Sequence, residues 1–328
     1  MKKWFNFEVA LLLLVLIVAL ICLIRLPGKD SVPALSVNPT VQTTQTAETT
    51  QEETQPTEPT WLELPANREL TAKQAFVYDC QKEEFTFLKG EQTDKVYPAS
   101  ITKLFTAYVA LQYLDADEVL TAEDALDLVG AGSSVAEIQA GDQLTVKMLV
   151  QAMLLPSGND AAYILAVHVG RLLQQDDTMG AWYAVDIFLE EMNRQAKSLG
   201  MTGTHFTNPD GYHDENHYTN FSDMALIGKL AMENKIIMSY ANIPLETVTF
   251  ENGTTKLWEN TNALVNPASK YYCPIATGLK TGQTPSAGSC LLSSFDQDGQ
   301  KYIIGVFGCP EIEDRFADTL QLLNDTLK

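Results

Sequence analysis

Thirty consecutive residues, 31–60 (SVPALSVNPTVQTTQTAETTQEETQPTEPT), are mostly Thr, Gln, Glu and Pro with almost nothing to bury. Such a stretch cannot repay the entropy of ordering itself, so it reads as a disordered stalk, and it divides the chain. Before it, Val9 to Ile24 is sixteen residues without a charge, flanked by Lys2, Lys3, Arg25 and Lys29. As a helix this run rises ~24 Å, a little short of a ~30 Å hydrocarbon core, but Phe5, Phe7 and Leu26 extend it and the flanking cations can snorkel. No small-x-small cleavage site follows directly, and Val32-Pro33-Ala34 is late and carries proline in the middle. Residues 1–30 are therefore expected to be an uncleaved N-terminal transmembrane helix rather than a signal peptide. The balance of flanking cations leaves its orientation open. Only 61–328 has the composition of a folded domain.

That region carries most of the formal charge of −20, with 18 Lys+Arg against 36 Asp+Glu after residue 60. Sequence-independent nucleic-acid binding needs basic surface to displace counterions, and an acidic domain excludes it. Ala75–Asp79 and Phe85–Lys89 read as strands joined by a turn at Gln81–Glu84, and Ser289–Phe295 with Tyr302–Gly308 as a hairpin around Asp296–Gly299. Helical periods mark 100–114, 146–155, 160–173 and 184–199, the last ending at Gly200, and a final helix over 313–327. Strands, then helices, then strands imply that the ends of the domain share one antiparallel sheet, with a helical insertion between.

Three short motifs carry the chemistry. In Ser100-Ile-Thr-Lys103 a helix would hold β-carbons roughly 5–6 Å apart, so the Lys103 amine can reach the Ser100 hydroxyl as its base. Pro98 suits the first turn of that helix, and its positive end favours an anion forming at an attacked carbonyl. Ser157-Gly-Asn159 sets a hydroxyl and an amide two residues apart on a turn between helices. Lys280-Thr-Gly282 followed by Gln283-Thr284 sets a cation and two hydroxyls beside glycines on a strand, where a peptide backbone can approach closely. Each alone is ordinary cap, turn or strand-end chemistry; their order, with starts 57 and 123 residues apart, is not.

With these motifs the chain resembles the penicillin-recognising serine enzymes, and most closely the low-molecular-mass D-alanyl-D-alanine carboxypeptidases of serine peptidase family S11. Ser133-Ser-Val, Gly141-Asp-Gln-Leu-Thr-Val, Met153-Leu-Leu-Pro-Ser-Gly-Asn-Asp-Ala-Ala162 and Leu199-Gly-Met-Thr-Gly-Thr-His-Phe-Thr-Asn-Pro-Asp-Gly211 share that phrasing over roughly residues 70–325. The resemblance implies an α/β (α+β) fold, a five-stranded antiparallel sheet flanked by helices plus a helical subdomain. It implies catalytic Ser100, Lys103 and Ser157, with substrate bound by Asn159, Lys280, Thr281, Gly282 and Gln283. In that scheme Ser157 relays a proton to the leaving amine, Asn159 orients the substrate amide, and the amides of Ser100 and Gln283 form the oxyanion hole. Lys280 would lower the pKa of Lys103 and, with Thr281, attract a terminal carboxylate. The expected partners are a peptidoglycan stem peptide ending in D-Ala-D-Ala and, as inhibitors, β-lactam antibiotics. No cofactor or metal is expected. Family members often continue into a small β-rich domain and a carboxy-terminal amphipathic anchor; here the amino-terminal segment is expected to attach the domain to the cell membrane, on its outer, wall-facing side. Alternatives are a β-lactamase or DD-endopeptidase on the same scaffold, or a non-catalytic wall sensor, which would need a broken motif.

Two patterns mimic other chemistry. Glu190-Glu-Met-Asn193 has the spacing of a β-lactamase deacylation segment, but the period of its helix puts both glutamates on the wet face. His213 and His217 are four apart, yet Pro209, Gly211 and Asn216 make the segment a loop, without a shared helical face for zinc. His168 is expected to pack or to lie at the surface. Cys80, Cys273, Cys290 and Cys309 fall in the exported part and are open to either state, with Cys290 and Cys309 offset across their hairpin.

Overall fold

The computed structural model describes residues 68–328. The anchor assigned to 1–30 and the stalk assigned to 31–60 lie outside the described residues, among which no helix is long and apolar enough to cross a membrane. In chain order the elements are β1 (Gln74–Asp79), β2 (Glu84–Lys89), a 3-10 turn (Ala99–Ile101), α1 (Thr102–Ala110), β3 (Val119–Thr121), β4 (Gln143–Thr145), α2 (Val146–Leu154), α3 (Asn159–Gln174) and α4 (Ala181–Ser198). There follow α5 (Phe221–Glu233), α6 (Lys235–Ala241), β5 (Leu245–Thr249), β6 (Thr255–Glu259), β7 (Ala276–Thr284), β8 (Gly288–Gln297), β9 (Gln300–Cys309) and α7 (Asp314–Thr326).

Five strands form one antiparallel sheet in the order β2-β1-β9-β8-β7, with two-stranded sheets β3-β4 and β5-β6 beside it. Alternate residues feed two cores, as the pleat requires. Phe76, Cys290, Leu292, Ile303 and Phe307 pack towards the helical part, while Val77, Leu291, Phe295, Ile304 and Val306 pack on Phe316, Leu320 and Leu323 of α7. Covered on both sides, β9 reads as a nearly unbroken apolar run, and β8 is buried from Ser289 to Phe295. Asp298 and Gly299 both take positive φ, 54° and 89°, the turn that matches strand twist in a two-residue hairpin. The end of α4 is also as the sequence indicates: Gly200 has φ 84°, Met201 N–H donates to Ala196 O and Gly200 N–H to Lys197 O.

The segment from Ser100 to Leu114 differs from the single helix expected. Ala99 takes φ 49°, so Ser100 falls in a 3-10 turn, and α-helical bonding starts at Thr102 and ends at Ala110. In a 3-10 turn residues i and i+3 eclipse, which leaves Ser100 and Lys103 on one side all the same. All four cysteines among the described residues are free. The ladder passes from Ser289↔Cys309 to Leu291↔Val306, so Cys290 stands opposite two residues of a β9 bulge, Phe307 and Gly308, and is offset from Cys309.

The leading segment is fastened to α7 by Asp318, which is fully buried. It accepts from Ala72 N at 2.6 Å and Thr71 Oγ1 at 2.9 Å, and pairs with Arg68. Asp318→Ala leaves the buried Ala72 N–H without an acceptor, and urea unfolding should show a loss of about 1–3 kcal/mol.

Candidate active site

Three remote segments meet around the turn that presents Ser100. Gly211, at φ 83°, lies so close to it that an added β-carbon would stand 1.8 Å from Ala99 O. Gly282 on β7 presses from another side, where a β-carbon would stand 2.8 Å from Pro98 O and 3.0 Å from Ala99 Cβ. The glycine of Lys-Thr-Gly is thus a steric requirement for bringing the strand against the turn that presents Ser100.

Lys103 is fully buried, with Nζ 2.8 Å from Ser100 Oγ and donating to Asp210 O at 2.8 Å. Burial lowers its pKa to about 8, against the Asp210 and Asp160 carboxylates, which favour the charged form. Burial rather than the charge of Lys280 is the main cause. Burial, then the charges of Lys103 and Arg315, instead hold Lys280 itself well below the usual lysine range.

Ser157 sits on the turn between α2 and α3 with φ 65°, a left-handed conformation that a serine adopts only when its surroundings impose it. Gly158 N–H donates to Ala152 O, Asn159 N–H to Ser134 O and Thr261 N–H to Leu155 O, which over-determine the turn. Among the described residues Ser157 makes no hydrogen bond to Ser100 or Lys103. Asn159 Oδ1 is buried without a partner. The neighbouring Asp160 accepts from Ala136 N (2.9 Å) and Ile138 N (3.1 Å), strapping the Ser133–Ile138 loop to α3. Burial raises its pKa despite these donors and the charge of Lys103.

Ser100, Asn159 and Gln283 line a cleft of about 470 Å³ with Ser133, Tyr212 and Ser286. Lys103, Ser157, Lys280, Thr281 and Gly282 do not line it. Lys280 is fully buried and donates to Thr281 O at 3.2 Å and Oγ1 at 3.4 Å, while Thr281 Oγ1 is 2.6 Å from Thr261 Oγ1. The three motifs therefore converge on one place, with Ser100, Asn159 and Gln283 at the cleft and the two lysines buried behind them. Residues 61–311 match the model of the D-alanyl-D-alanine carboxypeptidase family. The chain belongs to this family.

Among its relatives, D-alanyl-D-alanine carboxypeptidase DacF of Bacillus subtilis is 31% identical over 70% of this chain and 56% of its own length. The chain thus spans little more than half of that protein. The D-alanyl-D-alanine carboxypeptidase of a Streptomyces strain is 32% identical over 69% of this chain and 77% of the relative. The crystal structure of a Streptomyces DD-transpeptidase superposes with a TM-score of 0.70 at 28% identity, covering 78% of this chain and 97% of that one.

Against the carboxypeptidase family's motifs the two mimics have structural roles. Glu190 is exposed as expected, but Glu191 turns inward, which corrects its placement on the wet face. It accepts from Arg194 Nε at 2.6 Å, Gln195 Nε2 at 2.7 Å and the Tyr113 hydroxyl; Arg194 is the main cause of a pKa near 2. Asn193 brackets Phe206, donating to its carbonyl and accepting from its N–H. His168 Nε2 is 3.1 Å from Thr121 O.

His217 is 2% exposed; Nδ1 accepts from Thr207 N and Nε2–H donates to Thr102 Oγ1 at 2.8 Å. Burial lowers its pKa to about 3 from an ordinary 6.5. The folded state thus holds it neutral where the unfolded chain would protonate it. Stability from this residue is complete above about pH 6.5 and falls as pH drops towards 3. Chemical denaturation of His217→Gln across that window should show a shallower slope.

Asp160, Asp210 and Arg315 escaped the sequence reading. The two aspartates were legible only as part of Asn159-Asp160 and Pro209-Asp210-Gly211, and Arg315 had no local signal.

Proposed function

We propose that the domain is a serine D-alanyl-D-alanine carboxypeptidase that removes the terminal D-Ala from peptidoglycan stem pentapeptides. The observation that carries this is a 2.8 Å contact between a cleft-lining serine hydroxyl and a buried lysine whose amine loses its proton near pH 8. Neutral Lys103 accepts the proton as Ser100 attacks the carbonyl of the penultimate D-Ala, and the amides of Ser100 and Gln283 receive the oxyanion. Asn159 orients the substrate amide and Ser157 relays the proton to the departing amine. Thr281, its hydroxyl fixed by Thr261, receives the terminal carboxylate, with the Lys280 amine behind it. Water then releases the acyl-enzyme, whereas a β-lactam acylates Ser100 and stays. Because a solved relative is a DD-transpeptidase, an amine acceptor belongs in the assay beside water.

Mass spectrometry after incubation with diacetyl-Lys-D-Ala-D-Ala and, separately, penicillin is expected to show D-Ala release and an adduct on Ser100, both lost in Ser100→Ala. An adduct that persists in that variant overturns the assignment, and rapid turnover of penicillin would favour the β-lactamase alternative. Residues 1–30 as a membrane anchor and 31–60 as a stalk would hold the domain on the wall side; protease added to intact cells should then release it in soluble form.

A further inference from the structure

Among the described residues Arg315, on α7, is a buried cation without an acid. It is 6% exposed, and its Nε has no hydrogen-bond partner among them. Of the acids on its own helix, Asp314 and Asp318 pair with Arg68 and Asp325 with Lys328. Its other neighbours are the Cys290 and Cys309 thiols, which burial pushes up to about 11 and about 12, and the Phe316 ring, whose centroid is 4.9 Å from Cζ. Burial lowers the guanidinium only to about 10, so it stays charged at neutral pH, and Lys280 is within reach of its field. Its hydrogen bond runs from Nη1 to Gly282 O at 3.3 Å.

That carbonyl and the N–H of Gln283 belong to one peptide unit, and in a trans unit they point in opposite directions. Gln283 lines the cleft beside Ser100, and Arg315 does not. A guanidinium at the carbonyl end draws electron density through the amide and makes its N–H a stronger donor. The effect is large where the surroundings are dry and no counter-ion cancels the field. We propose that Arg315 is a positioning residue for acylation: acting through the Gly282–Gln283 peptide, it strengthens and aims the amide that receives the oxyanion. This rests on the acyl-transfer reading of Ser100. The competing role, direct capture of a substrate carboxylate, needs the guanidinium to face the cleft, whereas here it is given to the strand.

The test compares Arg315→Met, Arg315→Gln and Arg315→Lys with the unaltered protein on two acyl donors. One is diacetyl-Lys-D-Ala-D-Ala and the other a diacetyl-Lys-D-alanyl ethyl thioester, whose leaving group has no carboxylate. Removing an oxyanion donor outright costs roughly 100–1,000-fold in kcat, so weakening one by loss of its polarising partner is expected to cost about 10–100-fold. The loss should fall on kcat, should be similar for both donors, and should be largely restored by lysine. In the penicillin adduct, the isotope-edited infrared stretch of the ester carbonyl should move to higher frequency in Arg315→Met, reporting a weaker hole. A loss confined to the carboxylate-bearing donor overturns the proposal in favour of carboxylate capture. An equal loss with an unmoved stretch overturns it in favour of a purely structural role. Should the methionine variant fail to fold, the glutamine variant, which can still donate without charge, decides by the same stretch. Absence of any Ser100 adduct in the unaltered protein would instead remove the acyl-transfer reading itself.

Discussion

Lys103→Ala should slow penicillin acylation on the order of 1,000–10,000-fold or more, because the Ser100 hydroxyl is a weak nucleophile without its base, and Ser100→Ala and the double variant should form no adduct at all. The Lys103→Ala cost follows from the geometry: Nζ is 2.8 Å from Ser100 Oγ, and no other titratable amine hydrogen-bonds that hydroxyl among the described residues. The pH dependence supplies the sign. With a pKa of about 8, roughly a tenth of Lys103 is neutral at pH 7, and acylation should rise with pH through about 8. Asp160 favours the charged ammonium, so Asp160→Asn, which keeps an oxygen for the Ser133–Ile138 loop, should move this limb to lower pH. Stopped-flow acylation across pH 5–10 checks both. A limb that stays in place when Asp160 is neutralised, or that moves upward, would show that another group titrates.

Lys103 also shows how far the sequence reaches. That Ser100 and Lys103 meet follows from spacing alone, since α-helical and 3-10 geometry both bring i and i+3 to one side. Why the lysine is basic at the right pH does not follow, because its pKa is set by burial and by carboxylates 57 and 107 positions away in the chain. The same division runs through the fold. The β8–β9 hairpin is legible because Asp298-Gly299 demands a particular turn between two largely apolar runs, and α4 because Gly200 stops it. The β5–β6 hairpin has one face open to solvent and a weak pattern, and it was not assigned from sequence. Yet Thr261, just beyond β6, fixes the hydroxyl of Thr281. Arg315 is the extreme case: nothing near it hints at catalysis, and its place behind Gly282 exists only once α7 packs on the sheet.

Gly211→Ala should be the most damaging single-methyl change in the protein. Its β-carbon would stand 1.8 Å from Ala99 O, 2.3 Å from Ala99 C and 2.9 Å from Ser100 N, all backbone atoms that cannot rotate away, at φ 83°, where alanine is strained even in open space. The chain has two ways to respond. It can keep the turn and unfold more readily, by about 4 kcal/mol or more, the range reached when backbone strain and overpacking combine. Or it can push the Ala99–Ser100 peptide aside, which displaces both the Ser100 hydroxyl and the Ser100 N–H proposed to receive the oxyanion; displacements near 1 Å can cost about 100-fold in rate. Gly282→Ala is the informative comparison, since its β-carbon meets Pro98 O at 2.8 Å and strand β7 has a free edge towards which it can shift. It is expected to lose less stability while still slowing acylation. Thermal melting and penicillin acylation measured on both variants separate the responses. If Gly211→Ala melts and acylates like the unaltered protein, the close approach of these two loops is not what holds Ser100 in place.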